Sequence, residues 1–203
     1  MQRLLILSVN GDPLVQLGTL HGGGQCRYIL ELGRRLVGAR WEIDVFTTLR
    51  GDAPAREAIT EGFWVVRFPL PAGRPYGYDV TQDDMRELAA SMAACIVREN
   101  RNYGLMLACY WLSGLVAERL RPVLAVPVVM SFCSLGYQKE QARGTGESLE
   151  RIEIERSIAG SVDHLIASTH EEAAILQSVY AVPPQKLTVI PRGVDVDLFN
   201  AYV

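Results

Sequence analysis

Three consecutive glycines lie between an apolar run and the start of a helical pattern. Gly22, Gly23 and Gly24 follow the run Arg3–Val9, and a helical period begins at Gln25. Glycines let the backbone come close to a ligand, and the N–H groups at a helix N-terminus favour an anion. The segment predicts a cradle for a phosphate or sugar phosphate, and a turn without a ligand fits the local sequence equally well. Its spacing matches neither GxGxxG nor a Walker A motif, so the dinucleotide and P-loop interpretations are weak.

Cys133 follows a predicted strand and allows three interpretations: a nucleophile, a metal ligand or an inert buried thiol. The inert thiol is favoured, because free cysteines are among the most buried residue types. A nucleophilic cysteine needs a base such as histidine, which only the fold could bring to it. The spacing typical of zinc ligands is missing, so no metal is expected. The histidines of the chain are His21, His164 and His170.

Aromatic and basic residues also follow predicted strands. Aromatic side chains such as those of Tyr110 and Trp111 line sugar-binding sites in some proteins, but more often they pack in the core. Lys139 offers positive charge for a phosphate. Arg192 and Gly193 lie in a predicted tight turn near the C-terminal end of the sequence, after the last predicted strand.

Apolar runs alternate with helical periods along the chain. Seven runs are predicted strands: Arg3–Val9, Trp41–Thr47, Gly62–Pro69, Leu105–Cys109, Pro127–Phe132, Val162–Ala167 and Leu187–Ile190. Two helices are predicted to begin at Gln25 and at the capping signature that starts with Thr81. Three more are predicted over Leu112–Leu120, Glu147–Gly160 and Thr169–Tyr180. The last of these opens with a capping box. Two segments, Leu70–Tyr78 and Ser134–Gly146, are predicted loops. The alternation predicts an α/β fold with a doubly wound, mostly parallel sheet of about seven strands that binds ligands at the carboxyl ends of its strands.

Composition narrows the class of protein. The chain has 203 residues, 49% of them hydrophobic, and a net charge of −3, which predicts one globular domain and excludes a disordered one. The sequence has neither a clustered basic face nor an apolar stretch of 18 residues, so we expect no nucleic-acid partner and no membrane span. The first residues resemble a strand more than a signal peptide, and no CxxC pair occurs. We therefore expect reduced thiols and a cytoplasmic location.

Taken in order, the segments after the predicted strands resemble the family 4 retaining glycosyltransferases, with the sucrose-phosphate synthase and sucrose synthase branch as the most similar group. The segments are Gly22–Gln25, Val45–Thr48, Tyr110–Gly114, Ser134–Gly136 with Lys139, Ile166–Thr169 with Glu172, and Val189–Asp195 with Phe199. The resemblance covers nearly the whole chain in collinear order.

This resemblance implies the N-terminal half of a GT-B enzyme, in which two Rossmann-like domains face each other across a cleft. Residues 1–199 are expected to form the acceptor-side domain and residues 200–203 a C-terminal stub, with the donor-binding domain absent. The implied reaction transfers a sugar from a nucleotide-sugar to a sugar or sugar-phosphate acceptor with retention, and needs neither a metal nor a cofactor. A partner protein carrying the donor domain would complete such an enzyme.

The resemblance also implies which residues bind substrate: Gly22, Gly23, Gly24, Gln25, Cys109, Tyr110, Trp111, Cys133, Lys139, Arg192 and Gly193. Two of them depart from the family, which usually has histidine where this chain has Cys109 and Cys133. A thiol is a weak donor and a weak acceptor, so Cys133, at the position that contacts the sugar in relatives, is expected to impair transfer. A non-catalytic split or decayed fragment that binds a partner is the alternative, and a thiol enzyme using Cys133 is a third interpretation.

Two glutamates, Glu147 and Glu155, have the Glu-x7-Glu spacing that the resemblance implies for the missing domain. Here the pair falls in a charged helical segment, and a solvated helix face is the favoured interpretation. Glu155 also matches an acidic position of the relatives, where we expect a structural or cleft-facing role and assign no catalytic one.

Overall fold

The computed structural model describes residues 2–16, 18, 22–70, 80–143, 149–197 and 199. Eight strands form one sheet: β1 Gln2–Leu7, β2 Trp41–Thr48, β3 Arg56–Thr60, β4 Phe63–Phe68, β5 Leu105–Cys109, β6 Val128–Ser131, β7 His164–Ala167 and β8 Leu187–Val189. The strand order is β3-β4-β2-β1-β5-β6-β7-β8, and every neighbouring pair is parallel except β3 with β4.

Helices cover both faces of this sheet. In the described part of the chain they are α1 Gly24–Gly38, α2 Gln82–Arg98, α3 Trp111–Leu124, α4 Gly136–Arg143, α5 Leu149–Ser161 and α6 His170–Ser178, with a 3-10 turn at Pro184–Lys186. None of these helices is long and apolar enough to cross a membrane. The α/β, doubly wound, mostly parallel architecture predicted from the sequence is confirmed.

The central strand β1 shows why the first apolar run is continuous. Leu5 and Leu7 pack into the core on the side of α2 and α3, while Leu4 and Ile6 pack into the core on the side of α1. A strand buried on both faces needs apolar side chains at successive positions, because neighbouring side chains point to opposite faces. The same rule explains the other predicted strands, all of which the structure contains.

Two elements were missed by the sequence pattern. Strand β3 is a charged edge strand that joins the sheet through an antiparallel hairpin with β4, and Gly62 supplies the turn with a φ of 75°. Helix α4 occupies most of the segment that was predicted as a loop over Ser134–Gly146, so that prediction was wrong. Its polar composition carries little helical periodicity, and tertiary contacts described below hold its first turn. Residues 71–78 of the other predicted loop, and Glu147, lie outside the described residues.

The two predicted capping signatures behave differently. At α2 the box is complete: the Asp84 amide donates to Thr81 Oγ1 at 3.2 Å, and the Thr81 amide donates to Asp84 Oδ2 at 2.8 Å. At α6 the Thr169 hydroxyl accepts from the Glu172 amide at 3.0 Å, but the Glu172 carboxylate accepts from the Ser168 amide at 2.7 Å. Glu172 therefore accepts from Ser168, the residue before the N-cap, and not from the N-cap amide, so only one of the two hydrogen bonds of the predicted capping box forms.

Gly33 lets α1 lie close against β4. A methyl group at this position would overlap the ring of Phe63, which is fully buried. We predict that Gly33→Ala lowers the free energy of unfolding by about 1–3 kcal/mol, as expected for overpacking a core contact. Gly38→Ala, at the exposed end of the same helix where a methyl group meets open space, is the control and should stabilise by up to about 1 kcal/mol. Urea unfolding of both variants measures the difference, and equal effects would contradict the close contact.

Candidate functional site

A cleft of about 1160 Å³ lies at the carboxyl ends of the parallel strands. Of the predicted site residues, the structure brings these to its walls: Gly23, Gly24, Gln25, Tyr110, Cys133, Lys139, Arg192 and Gly193. Gly22, Cys109 and Trp111 do not line it. Cys109 is fully buried at the end of β5, and Trp111 packs against the core in the first turn of α3.

The glycine segment forms an open helix N-terminus on one wall of the cleft. Gly23 is the N-cap of α1 in an extended conformation, and no side chain of the described residues caps this helix. A side chain at Gly23 or Gly24 would meet open space, so the backbone here is accessible from the cleft. The first turn carries no acidic residue that would repel an anion. This geometry suits a phosphate, whose charge the N–H groups and the helix dipole both favour.

Gln25 is predicted to bind substrate, but its side chain already joins two strand ends. Its Nε2 group donates to Ser8 Oγ and to Asn10 Oδ1, both at 3.1 Å, and lies 3.5 Å from the carbonyl oxygen of Cys109. These contacts connect the start of α1 to the segment after β1 and to the end of β5. Gln25 therefore positions the glycine segment through its own hydrogen bonds.

Arg192 belongs to the segment after β8, and its side chain reaches across the cleft to α1. Its guanidinium stacks on the ring of Tyr28 in α1, 3.5 Å from the ring centroid. The Nη2 group lies 3.4 Å from Ser131 Oγ and 3.5 Å from Cys133 Sγ. Burial raises the pKa of Tyr28, and the positive charge of Arg192 opposes that rise. The stacking holds a cation at the mouth of the cleft.

Cys133 lies on the floor of the cleft with a positive φ of 61°. Interaction with the neighbouring Cys109 thiol and with Arg192 lowers the pKa of Cys133 to about 7. The same interaction, together with burial, raises the pKa of Cys109 well above its usual value. Cys133 is half-buried and lines the cleft, so it is less enclosed than the buried thiol that its sequence favoured.

The described histidines do not pair with Cys133. His164 hydrogen-bonds to Thr188 at 2.8 Å, and His170 is exposed at the start of α6. His21 lies outside the described residues. The described residues also contain no group of three metal-binding side chains.

Glu155 of α5 is fully buried, so the interpretation of a solvated helix face was wrong for this residue and the structural role is the correct one. Its carboxylate accepts hydrogen bonds from the Gly136 amide at 2.9 and 3.1 Å and from the Tyr180 hydroxyl at 2.6 Å. Arg151 Nε donates to it at 2.9 Å. Burial raises the pKa of Glu155, and these hydrogen bonds oppose the rise. The carboxylate thereby caps α4, the helix that carries Lys139 to the cleft.

Arg151 extends this network to the aromatic residues at the end of β5. Its guanidinium lies 5.3 Å from the ring centroid of Tyr110 and 5.8 Å from that of Trp111, and Nη2 donates to the Ser134 carbonyl oxygen at 3.1 Å. Tyr110 itself has a φ of 76°, a conformation that a bulky residue rarely adopts. Arg151 was not predicted as a site residue, because a lone arginine in a charged helix gives no signal of burial.

Asn10 and Tyr28 also line the cleft and were missed. Asn10 follows β1 by three residues, so the rule that ligands bind at the carboxyl ends of strands points to it. Tyr28 lies in the second turn of α1, and no local pattern distinguishes it from a packed aromatic residue.

A doubly wound sheet with a glycine-lined cleft at its switch point defines a Rossmann-like domain. Residues 23–193 match the model of the glycosyl transferase 4-like domain, and the chain belongs to this family. The sheet is the N-terminal half of a GT-B fold, as the sequence resemblance predicts.

Relatives and solved structures agree with this assignment. The chain is 32% identical over 206 residues to a D-inositol 3-phosphate glycosyltransferase of Kineococcus radiotolerans, covering 98% of this chain and 47% of the relative. It is 34% identical to a protein of the same name from Streptomyces bingchenggensis, covering 98% of this chain and 45% of that one. The chain thus spans about half the length of the curated relatives it matches. It superposes on sucrose-phosphate synthase from Thermosynechococcus elongatus with a TM-score of 0.87 and 25% identity, over 98% of this chain and 50% of that one. Anabaena HepE, solved with UDP-glucose, has the same fold at a TM-score of 0.64 and 15% identity, over 98% and 46% of the two chains.

The Glu155 network leads to a stability prediction. Glu155→Gln keeps the shape of the side chain but leaves the Arg151 guanidinium buried without its counter-charge. We predict a loss of about 3 kcal/mol in the free energy of unfolding, because breaking a buried ion pair from one side is strongly destabilising. Glu153→Gln is the control: this exposed residue of the same helix pairs with Arg156, and its loss should cost about 0.5 kcal/mol or less. Chemical denaturation of both variants tests the difference, and equal losses would show that Glu155 does not hold α4.

Proposed function

We propose that this chain is the acceptor-side domain of a retaining glycosyltransferase and works together with a second domain that binds the nucleotide-sugar. The sugar would pass from the nucleotide-sugar to a sugar or sugar-phosphate acceptor held in the cleft. By itself the chain would bind the acceptor without transferring sugar. The observation that carries this proposal is the open N-terminus of α1 at Gly23 and Gly24, which faces the same cleft as Lys139 and Arg192.

A phosphorylated acceptor is favoured by the charges of the cleft. Lys139 and Arg192 approach it from two different segments, and the dipole of α1 adds partial positive charge. A phosphate oxygen gains charge-assisted hydrogen bonds from such groups, which a neutral sugar hydroxyl cannot match. Relatives named for D-inositol 3-phosphate support an acceptor that carries a phosphate.

The proposal of a second domain is supported by an apolar surface beside the cleft. Ile190, Val194 and Phe199 are exposed in one short segment, and all three line the cleft. Large apolar side chains grouped in this way mark surfaces that another protein unit covers. The covering unit would be the nucleotide-sugar-binding domain, in the same polypeptide or in a partner protein.

This surface also fits the alternative function, a non-catalytic subunit that binds such a partner. The two cysteines at positions that are histidine in the resembling family favour it, since a thiol cannot replace both hydrogen bonds of an imidazole. Sugar transfer by the chain alone, measured with UDP-glucose and a panel of sugar phosphates, would contradict both the alternative and the need for a second domain.

The proposed acceptor site at the N-terminus of α1 can be tested by a substitution that places a side chain in it. Gly23→Val places a branched side chain in open space at the N-cap of α1, so the variant should fold, with a melting temperature a few degrees lower because valine is a poorer N-cap than glycine. We expect the wild type to bind D-inositol 3-phosphate or another sugar phosphate saturably in calorimetric titrations, and the variant to lose this binding. Absence of binding for every sugar phosphate in the panel, with correctly folded wild type, would contradict the proposal.

The charge of the cleft can be tested separately. Arg192→Ala removes one cation, and we predict that binding of the same sugar phosphate weakens about tenfold to a hundredfold, since a hydrogen bond to a charged group contributes about 1.5–3 kcal/mol. Binding of the unphosphorylated sugar should not change. Arg119→Ala, an exposed arginine of α3 outside the cleft, is the matched control. Equal weakening by both variants would show that only the overall charge matters.

A further inference from the structure

The segment after β8, residues 190–197, leaves the sheet and becomes exposed. The Ile190 amide still donates to the Ala167 carbonyl oxygen of β7 at 2.9 Å, and residues 191–197 are all exposed. A stretch of backbone with so little buried surface opens easily unless individual side chains attach it to the rest of the domain. Arg192 is such a side chain, because it contacts both α1 and the end of β6.

Tyr28 gives Arg192 a fixed surface to stack on. The Tyr28 ring is half-buried and packs against the apolar cluster on the α1 side of the sheet, and the Arg192 guanidinium carbon lies 3.5 Å from the ring centroid. Tyr28 follows Gly24 by four residues, and positions at this spacing share one face of a helix, about 5–6 Å apart. The stacked guanidinium therefore lies one helical turn from the open N-terminus of α1.

The stack leaves the hydrogen-bond donors of Arg192 available to a ligand. A guanidinium stacks through its flat face, while its N–H groups point outward in the plane of that face. Its Nη2 group meets Ser131 Oγ at 3.4 Å and Cys133 Sγ at 3.5 Å, which are long contacts, and neither partner is a carboxylate. A phosphate oxygen at the N-terminus of α1 would accept these donors more strongly, and Arg192 would not have to leave Tyr28.

We propose that the Tyr28–Arg192 stack couples the binding of a phosphate in the cleft to the attachment of the segment after β8. This inference rests on the proposed function, since it needs an anionic ligand at the N-terminus of α1. Tyr28 is a positioning residue that acts through Arg192, because it holds the guanidinium where the phosphate binds. Coupling between two sites is reciprocal, so a phosphate bound to Arg192 also holds the segment on α1.

The coupling extends to the surface beside the cleft. The segment after β8 carries Ile190 and Val194, which belong to the exposed apolar surface that a second domain is proposed to cover. With Arg192 stacked on Tyr28 and a phosphate bound, this surface is held in one position relative to α1. An occupied cleft therefore restricts the position of the surface that receives the second domain.

Trypsin measures the attachment of the segment in the chain without ligand. The protease binds the arginine side chain in a pocket, so cleavage between Arg192 and Gly193 requires that the guanidinium leave Tyr28. Tyr28→Leu removes the aromatic face and keeps an apolar side chain. It should speed this cleavage about twofold to fivefold, the factor expected for one exposed cation–π contact. Tyr28→Phe keeps the ring and should be cleaved at the wild-type rate.

Mass mapping of the digest assigns the cleaved bond. Cleavage at the other lysines and arginines is the internal control, because only the bond after Arg192 should respond to the ring at position 28. Melting temperatures verify that both Tyr28 variants are folded.

The coupling itself is measured by adding a ligand to the same digestion. D-inositol 3-phosphate, or glucose 6-phosphate if the former does not bind, should slow cleavage after Arg192 about tenfold at ten times its Kd, and myo-inositol should not. In calorimetric titrations, Tyr28→Leu should bind the same sugar phosphate up to about fivefold more weakly. In the Arg192→Met background, the Tyr28 substitution should weaken binding no further.

The outcomes separate this inference from the proposed function. Binding of the sugar phosphate without slower cleavage after Arg192 would overturn the coupling and leave the proposed acceptor-side domain intact. Equal cleavage rates of the wild type and Tyr28→Leu would do the same, as would a weakening by Tyr28→Leu that persists in the Arg192→Met background. If no sugar phosphate binds, the proposed function and the coupling both fail.

Discussion

The buried carboxylate of Glu155 is the interaction on which the cleft depends. It accepts hydrogen bonds from the first amide of α4, from Tyr180 and from Arg151, so that one side chain joins α4, α5 and the segment after α6. Without it, the Gly136 amide at the start of α4 would be buried without a partner, which is costly. The position of Lys139, carried by that polar helix, follows from this contact.

Side-chain bridges between strand ends shape the rest of the cleft. Gln25 connects α1 to the ends of β1 and β5, and Arg192 connects the segment after β8 to Tyr28 of α1 and to Ser131 of β6. Parallel strands bring their carboxyl ends to one edge of the sheet, where few backbone partners remain. The bridges position the accessible backbone of Gly23 and the cations around one volume, and this supports the binding of an anionic ligand.

Much of the fold follows from local pattern, and part of it does not. Buried parallel strands appear as continuous apolar runs, so strands such as Arg3–Val9 could be predicted within a few residues. Strand β3 is exposed at an edge and charged, and α4 is polar throughout, so neither has the periodicity that indicates its structure. The same limit applies to the site. Cys133 and Lys139 could be located after predicted strands, whereas the burial of Glu155 and Arg151 depends on partners distant in sequence.

The sequence by itself determined the class of fold, the family and the segments that meet at the cleft, because apolar periodicity and ordered motifs are local properties of the chain. Only the tertiary structure decided which side chains touch. It showed that Gln25 bridges the ends of two strands through hydrogen bonds, and it placed Cys109 of β5 and Cys133 after β6 in one apolar cluster. The physical reason is that strand order, and not sequence distance, sets the neighbours of a residue at the edge of a parallel sheet: β5 and β6 lie side by side although a helix separates them in the chain.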